Sequence, residues 1–172
     1  MVVSPAPALD ELFAACQESA LHLEMRDGYM QDDPVYIDWQ AGVAINPRER
    51  WPEWFELVQR TVARGVEVRR ARIVSEPVSQ YIKYEYDVTE AHNLAAGEQV
   101  RWLPRRHASD IALPGNDFWL FDDRLVRFAY FSGDGDFLAA ELTDDSDVVK
   151  LCAAAFEAAW DRAVPHHEYH VG

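Results

Sequence analysis

Apolar and polar positions change period several times along the chain. Residues 7–29, "PALDELFAACQESALHLEMRDGY", place Leu12, Phe13, Cys16, Ala20 and Leu23 at helical spacing behind a capping Asp10, with Asp27–Gly28 as a stop. "QDDPVYIDWQAG" alternates weakly and reads as a strand or extended loop, with Pro34 confining any strand to an edge or a start. "PRERWPEWFELVQRTVARG" predicts a second helix, with Pro52 in its first turn, Gly65 past its end and Trp54, Phe55, Val58 and Val62 on its buried stripe.

"VEVRRARIVSE" then alternates and is rich in β-formers, a strand closed by Pro77. "PVSQYIKYEYDVTEAHNLAAG" returns to helical spacing through Tyr81, Ile82, Tyr84 and Glu85 and is expected to break near Asp87. "EQVRWLP" predicts a strand and "RRHASDIALPG" a loop. "NDFWLFDD" and "RLVRFAYF" predict two strands meeting at Asp122–Asp123–Arg124, and "SGDGD" predicts a hairpin into "FLAAEL". The strongest helix is "TDDSDVVKLCAAAFEAAWDRAVP", acidic at its start, with Val148, Val149, Cys152, Phe156, Ala159 and Trp160 in register and Pro165 as its stop.

Strand Val66–Val74, a helix and strand Gln99–Leu103 can form a right-handed crossover with parallel strands. Antiparallel meanders complete a mixed sheet of about five strands between helices. The expected architecture is a single α/β domain over residues 8–165, followed by a short polar tail, 166–172. A chain of 172 residues with 49% hydrophobic content can bury one core.

The net charge of −14 works against a nucleic-acid footprint and against anionic membranes. It allows a protein partner or a small cationic ligand, and it leaves the oligomeric state open. Cys16 and Cys152 lack metal-type spacing and read as buried thiols of a reducing compartment. The opening "MVVSPAPALDELF" has no basic segment before an apolar one, so a cytoplasmic location is expected.

Four groups of residues are candidates for chemistry. Asp122 and Asp123 are either an acidic site, with His107 as a further weak catalytic candidate, or the corner of a hairpin. Arg69, Arg70, Arg72, Arg101, Arg105, Arg106 and His107 form either an anion pocket or internal salt bridges. Tyr81, Tyr84, Tyr86, Trp39, Trp51, Trp102, Phe118 and Trp119 form either an aromatic cleft for a flat or cationic ligand, or core. The ligand-binding set is therefore Arg70, Arg101, Arg105, Arg106, Trp102, Trp119 and Tyr84. His166, His167, Glu168 and His170 lie on a terminal tail, and no metal is expected there. The chain carries no dinucleotide fingerprint, glycine-rich phosphate loop or nucleophile elbow, so no cofactor is expected.

Through "AGEQVRWLPRR", "IALPGNDFWLFDDRLVRFAYFSGDG", "ELTDD" and "AFEAAWDRAVPHHEY" the chain resembles a family of uncharacterised actinobacterial proteins known as a domain of unknown function. The resemblance covers roughly residues 8–170. It implies proximity to genes for helix-turn-helix regulators and small acidic proteins. More distantly, the order of elements is similar to one half of a phospholipase D-like domain, a fold that also serves as a non-catalytic effector module in transcription regulators.

The catalytic form of that fold carries His-x-Lys followed four residues later by Asp. Counting back from Asp122 puts Gly115 at the His position and Asp117 at the Lys position, and counting back from Asp123 gives Asn116 and Phe118. Neither register supplies the nucleophile or the cation. A non-catalytic binding or regulatory module is therefore the leading expectation, with a protein partner or small ligand and an associated helix-turn-helix regulator. The alternative is a small-molecule enzyme with a pocket at the sheet edge.

Overall fold

The computed structural model describes residues 4–171. Its centre is a single sheet of eight strands in the order β1-β7-β6-β5-β2-β3-β4-β8. Strands β2 (Ser19–Glu24), β3 (Glu67–Val74) and β4 (Gln99–Pro104) run parallel. Strands β5 (Phe118–Phe121), β6 (Leu125–Phe131) and β7 (Phe137–Thr143) continue the sheet as an antiparallel meander from β2. Two-residue strands β1 (Ser4–Pro5) and β8 (Val164–Pro165) close its edges.

The sheet thus has eight strands rather than about five. Two of the additional strands are the short edges, which carry no periodicity. The third, β2, lies in the centre of the sheet, within the stretch whose spacing predicts one long helix. Helix α1 covers only Leu9–Ala15, and the chain turns extended at Cys16. The apolar positions of "SALHLE" fit both periods because β2 is covered on both faces, and pairing with β3 and β5 decides for the strand.

Helix α2 (Pro34–Gln40) replaces the weak strand or loop. Asp33 caps it by accepting from the Val35 N–H at 2.7 Å, and Pro34 sits where its fixed φ suits a first turn. A single turn, α3 (Pro47–Arg50), leads into α4 (Pro52–Ala63). Helix α5 (Gln80–Thr89), capped by Ser79, does not break at Asp87 but widens into a π-helical turn at Glu90–Leu94. Helix α6 (Ser146–Arg162) forms as its pattern requires.

Helix α6 covers one face of the sheet, with Cys152, Phe156 and Trp160 against Leu21, Ile73, Leu103, Phe118 and Val126. Helices α1, α4 and α5 cover the other. There α1 and α4 meet Ala20, Val68 and Phe121, while Ile82 of α5 meets Val74 and Trp102. Tyr169 stacks on Trp102 at 5.6 Å, so residues after β8 belong to this second packing layer. Between these two apolar groups lies a strip of the sheet that is almost entirely charged. No helix among the described residues is long and apolar enough to cross a membrane.

Candidate functional site

The charged strip follows from strand periodicity. Alternate residues point to one face, so His22 and Glu24 of β2 emerge beside Arg70 and Arg72 of β3, with which they are in register. Trp119 of β5 lies opposite His22, and the two rings stack at 4.2 Å and 2°. Arg127 of β6 is the next residue in that row.

The charged groups of this strip on β2 and β3 and the neighbouring Glu98 are all but removed from water, at 8% exposure for Arg70, 5% for Arg72, 8% for Glu24 and 2% for Glu98, while Arg127 is partly buried. Burial on this scale requires close pairing. Glu24 receives Arg70 Nη1 on one oxygen and Arg72 Nε on the other, the latter at 2.5 Å. Glu98 receives Arg70 Nε at 2.7 Å and Asn93 Nδ2 at 2.6 Å. Arg72 Nη1 donates to Thr89 Oγ1 at 2.7 Å, and its guanidinium lies over the Trp102 ring. His22 donates from Nδ1 to the Phe118 carbonyl at 2.7 Å, which leaves Nε2 3.2 Å from Glu24 Oε1.

Glu85 of α5 is the surplus member. Two guanidiniums already serve Glu24 and Glu98, and Glu85 approaches Arg72 only at 3.6 Å. Its Oε2 is enclosed and has no hydrogen-bond partner among the described residues. Burial, only partly offset by Arg72 and worsened by Glu24, pushes the Glu85 carboxyl up to about 7. Glu24 shows the opposite outcome: burial alone would raise it, but Arg70, Arg72 and His22 hold it well below the usual carboxylate range. The π-helical turn brings in His92, whose Nδ1 also lacks a partner among the described residues. Burial, reinforced by Arg70, brings its imidazole down to about 4, so the ring is neutral near pH 7.

Over this strip lies a cleft of about 350 Å³ between α4 and α5. His22, Arg70, Arg72 and Trp119 make its floor, and Trp51, Trp54, Tyr81, Tyr84 and Glu85 its walls. A second cavity, of about 280 Å³, shares His22, Tyr81, Glu85 and Trp119 and extends over Asp117 and Arg127 to Phe131. Glu85 therefore faces both cavities. Burial raises both phenols, Tyr81 and Tyr84, so they remain neutral donors beside it.

Arg70, Tyr84 and Trp119 meet in this cleft. Trp102 is enclosed behind Arg72 and donates its ring N–H to His166 Nδ1 at 3.1 Å. Arg101 points to the opposite face, over the Trp160 ring. Arg105 and Arg106 line a separate hollow beyond the ends of β3 and β4, where Arg105 engages Asp27, Ser75 and two carbonyls, and Arg106 approaches Glu76. Internal pairing thus occupies Arg70, Arg72 and Arg105, although two of these also line the cleft.

Asp122 and Asp123 have φ of 52° and 47°, and the Arg124 N–H bonds the Phe121 carbonyl, the geometry of a type I′ turn. The Asp122 carboxylate accepts from the backbone N–H groups of Gln17, Glu18 and Ser19 and from Cys16 Sγ. Burial opposes ionisation, but these donors hold Asp122 below its ordinary value. Asp122 lies at the edge where the parallel strands begin, and His107 lies past the edge where they end. The fold does not bring them together.

Sequence reasoning passed over His22, Glu24, Glu85, His92, Glu98 and Arg127 as site residues. One signal was present: "HLE" and "RAR" both place charge at every second position around an apolar residue. Asp117, at the Lys position of the catalytic pattern, is buried and accepts from the Tyr29 hydroxyl at 2.5 Å and the Met25 N–H at 2.9 Å.

Comparison with solved structures agrees with this architecture. The chain superposes on Nuc from Salmonella typhimurium, a phospholipase D family member, with a TM-score of 0.52 and 10% identity over 95% of each chain. NucT from Helicobacter pylori gives 0.50 and 13% identity, covering 95% of this chain and 97% of NucT. TrmBL2, an archaeal chromatin protein with a novel mode of DNA binding, gives 0.52 and 14% identity. The match covers 95% of this chain but 54% of TrmBL2, so the chain spans about half of that protein. At these identities the likeness is one of fold, a phospholipase D-like α/β domain. No curated protein matches the chain in sequence. The family described as Domain of unknown function (DUF6879) matches residues 7–171, and the chain belongs to that family.

Proposed function

We propose that this protein is a non-catalytic binding module that holds a small molecule in the cleft over its charged sheet face. The observation that carries the reading is Glu85 Oε2, an enclosed carboxylate oxygen without a partner among the described residues, at the meeting of two cavities walled by aromatic rings. A buried acceptor left unpaired costs free energy, and a ligand donor placed there recovers it. The missing His-x-Lys pattern, with Gly115 and Asp117 at its positions, supports a role without phosphodiester chemistry.

The reading includes a cytoplasmic setting and a link to a helix-turn-helix regulator or another protein partner, supported by the family resemblance. TrmBL2 binds DNA, but the net charge of −14 in this chain opposes contact with a phosphate backbone. The test is a melting-temperature screen of the purified protein against a broad set of small metabolites, repeated with Glu85→Gln. Stabilisation by at least one compound, weakened in the variant, supports the reading. A flat screen, or stabilisation indifferent to Glu85, refutes it.

One observation favours a second reading, an enzyme in which Glu85 moves a proton. A carboxyl raised to about 7 is suited to general acid–base work near neutral pH. Incubating any stabilising compound with the protein and following it by NMR separates the two, because a binding module leaves the compound unchanged.

A further inference from the structure

Two groups of opposite charge face the second cavity, and each keeps one enclosed polar atom without a hydrogen-bond partner among the described residues. One is Glu85. The other is Arg127 of β6, which points to the same sheet face because it lies opposite Trp119. Its Nε is enclosed without a partner, and no hydrogen bond, ion pair or ring contact engages its guanidinium among the described residues. Burial accounts for the lowering of its affinity for protons. The acidic groups around the same cavity are committed elsewhere, Glu24 to Arg70 and Arg72, and Asp117 to Tyr29 and Met25.

Glu85 and Arg127 line one cavity of about 280 Å³ yet form no ion pair with each other. Glu85 is buried with only the 3.6 Å approach of Arg72 to offset it, and Arg127 is partly buried with its Nε enclosed and unpartnered among the described residues, an arrangement that a ligand can complete. A cation by itself would leave Arg127 unpaired. An anion by itself would leave Glu85 Oε2 without a donor and would sit beside Glu24 and Asp117. A molecule carrying both charges satisfies both groups at once. Guanidinium matches an oxyanion through its planar fork, and an ammonium supplies donors to a carboxylate oxygen. Tyr81 and Trp119, which line both cavities, offer apolar contact between the two ends.

We infer that the ligand is a small zwitterion, with its ammonium at Glu85 and its oxyanion, a carboxylate or a phosphonate-type group, at Arg127. This deepens the cleft reading above and rests on it.

Titration calorimetry with defined probes tests the inference. The zwitterions are β-alanine, 4-aminobutanoate, 6-aminohexanoate and 3-aminopropylphosphonate, which vary the span and the oxyanion. The single-charge controls are 1,3-diaminopropane, succinate and inorganic phosphate. At least one zwitterion should bind about tenfold or more tightly than every control, and Glu85→Gln and Arg127→Gln should each weaken it by about tenfold or more. Carboxylate probes against the phosphonate identify the oxyanion.

Binding of the diamine that ignores Arg127→Gln, or of an anion that ignores Glu85→Gln, overturns the zwitterion while leaving a ligand cleft in place. Absence of binding by all probes also overturns it, and the broader metabolite screen then decides separately whether the cleft binds anything. Circular dichroism establishes that each variant folds. If Arg127→Gln does not, Arg127→Lys takes its place, with reduced zwitterion affinity expected and unchanged affinity refuting the assignment.

Discussion

Arg70 Nε donates to Glu98 Oε1 across 2.7 Å, joining β3 to the start of β4 by a buried ion pair in which Glu98 is 2% exposed. Removing one partner from such a pair leaves the other charge enclosed, which costs about 3–5 kcal/mol. Glu98→Ala should therefore destabilise by that amount in urea unfolding, because Arg70 loses one carboxylate and Asn93 loses its acceptor. Glu98→Gln, which keeps an acceptor, should cost less. Equal midpoints for Glu98→Ala and the parent protein would refute the network's role.

Glu85 makes stability depend on pH in a particular window. Its folded carboxyl is raised to about 7 from 4.5, so the folded state binds the proton more tightly than the unfolded chain. The stabilisation this gives is complete below about pH 4.5 and is lost as pH rises towards 7. Glu85→Gln should flatten the decline in that window, by up to about 3 kcal/mol. Glu24 acts in the other direction: it is held low by its arginines, so its contribution is present above its unfolded value and disappears in acid. Unfolding free energies from pH 4 to 8 for parent and variant check the Glu85 sign, and those of the parent at lower pH check the Glu24 sign.

Tyr29 donates to Asp117 at 2.5 Å in a buried setting. Burial pushes the Tyr29 phenol well above its usual range, and burial also raises Asp117. Tyr29→Phe should cost about 1.5–3 kcal/mol, the range for a hydrogen bond to a charged group. A shift in urea midpoint near zero would show that Asp117 finds another donor.

The Asp122 carboxylate gathers backbone N–H groups of Gln17, Glu18 and Ser19 at the bend between α1 and β2. Asp122→Gly keeps the positive φ accessible and removes the carboxylate, so it tests this cap together with the backbone freedom that glycine adds. A loss of about 1–3 kcal/mol is expected from the donors left behind. Asp122→Asn should retain part of it. A glycine variant as stable as the parent would remove the cap from the account of the fold.

Cys16 and Cys152 are both pushed up to about 12, chiefly by burial. Thiolate is the reactive form, so neither should be alkylated by iodoacetamide in the folded protein at pH 8. Both should react once urea unfolds the chain, as read by mass spectrometry. Fast labelling of the native protein would contradict the packing around them.

Much of the fold was legible because it is local. The α6 stripe, the crossover from β3 through α5 to β4, and the turns at Asp122–Asp123 and Ser132–Asp136 each follow from period and turn chemistry within a short window. The central strand was not. "SALHLE" is covered on both faces, so its apolar positions suit either period, and only the neighbouring strands on each side decide. Helix α2 turned on its Asp33 cap and Pro34 rather than on hydrophobic pattern.

The candidate site was legible only in part, for a related reason. Arg70, Tyr84 and Trp119 stood out by residue type, and the structure brings them into one cleft. Arg101 could not be separated from Arg70 by composition, yet register sends it to the opposite face. By itself the sequence determined a single α/β domain, its hairpins, its acidity and the absence of the catalytic pattern in "PGNDFWLFDDRLVRF". Tertiary structure decided which charges meet. Glu24 satisfies two arginines, while Glu85 Oε2 and Arg127 Nε have no hydrogen-bond partner among the described residues. Pairing across strands and helices depends on register and distance, and neither is written in the spacing of residues along the chain.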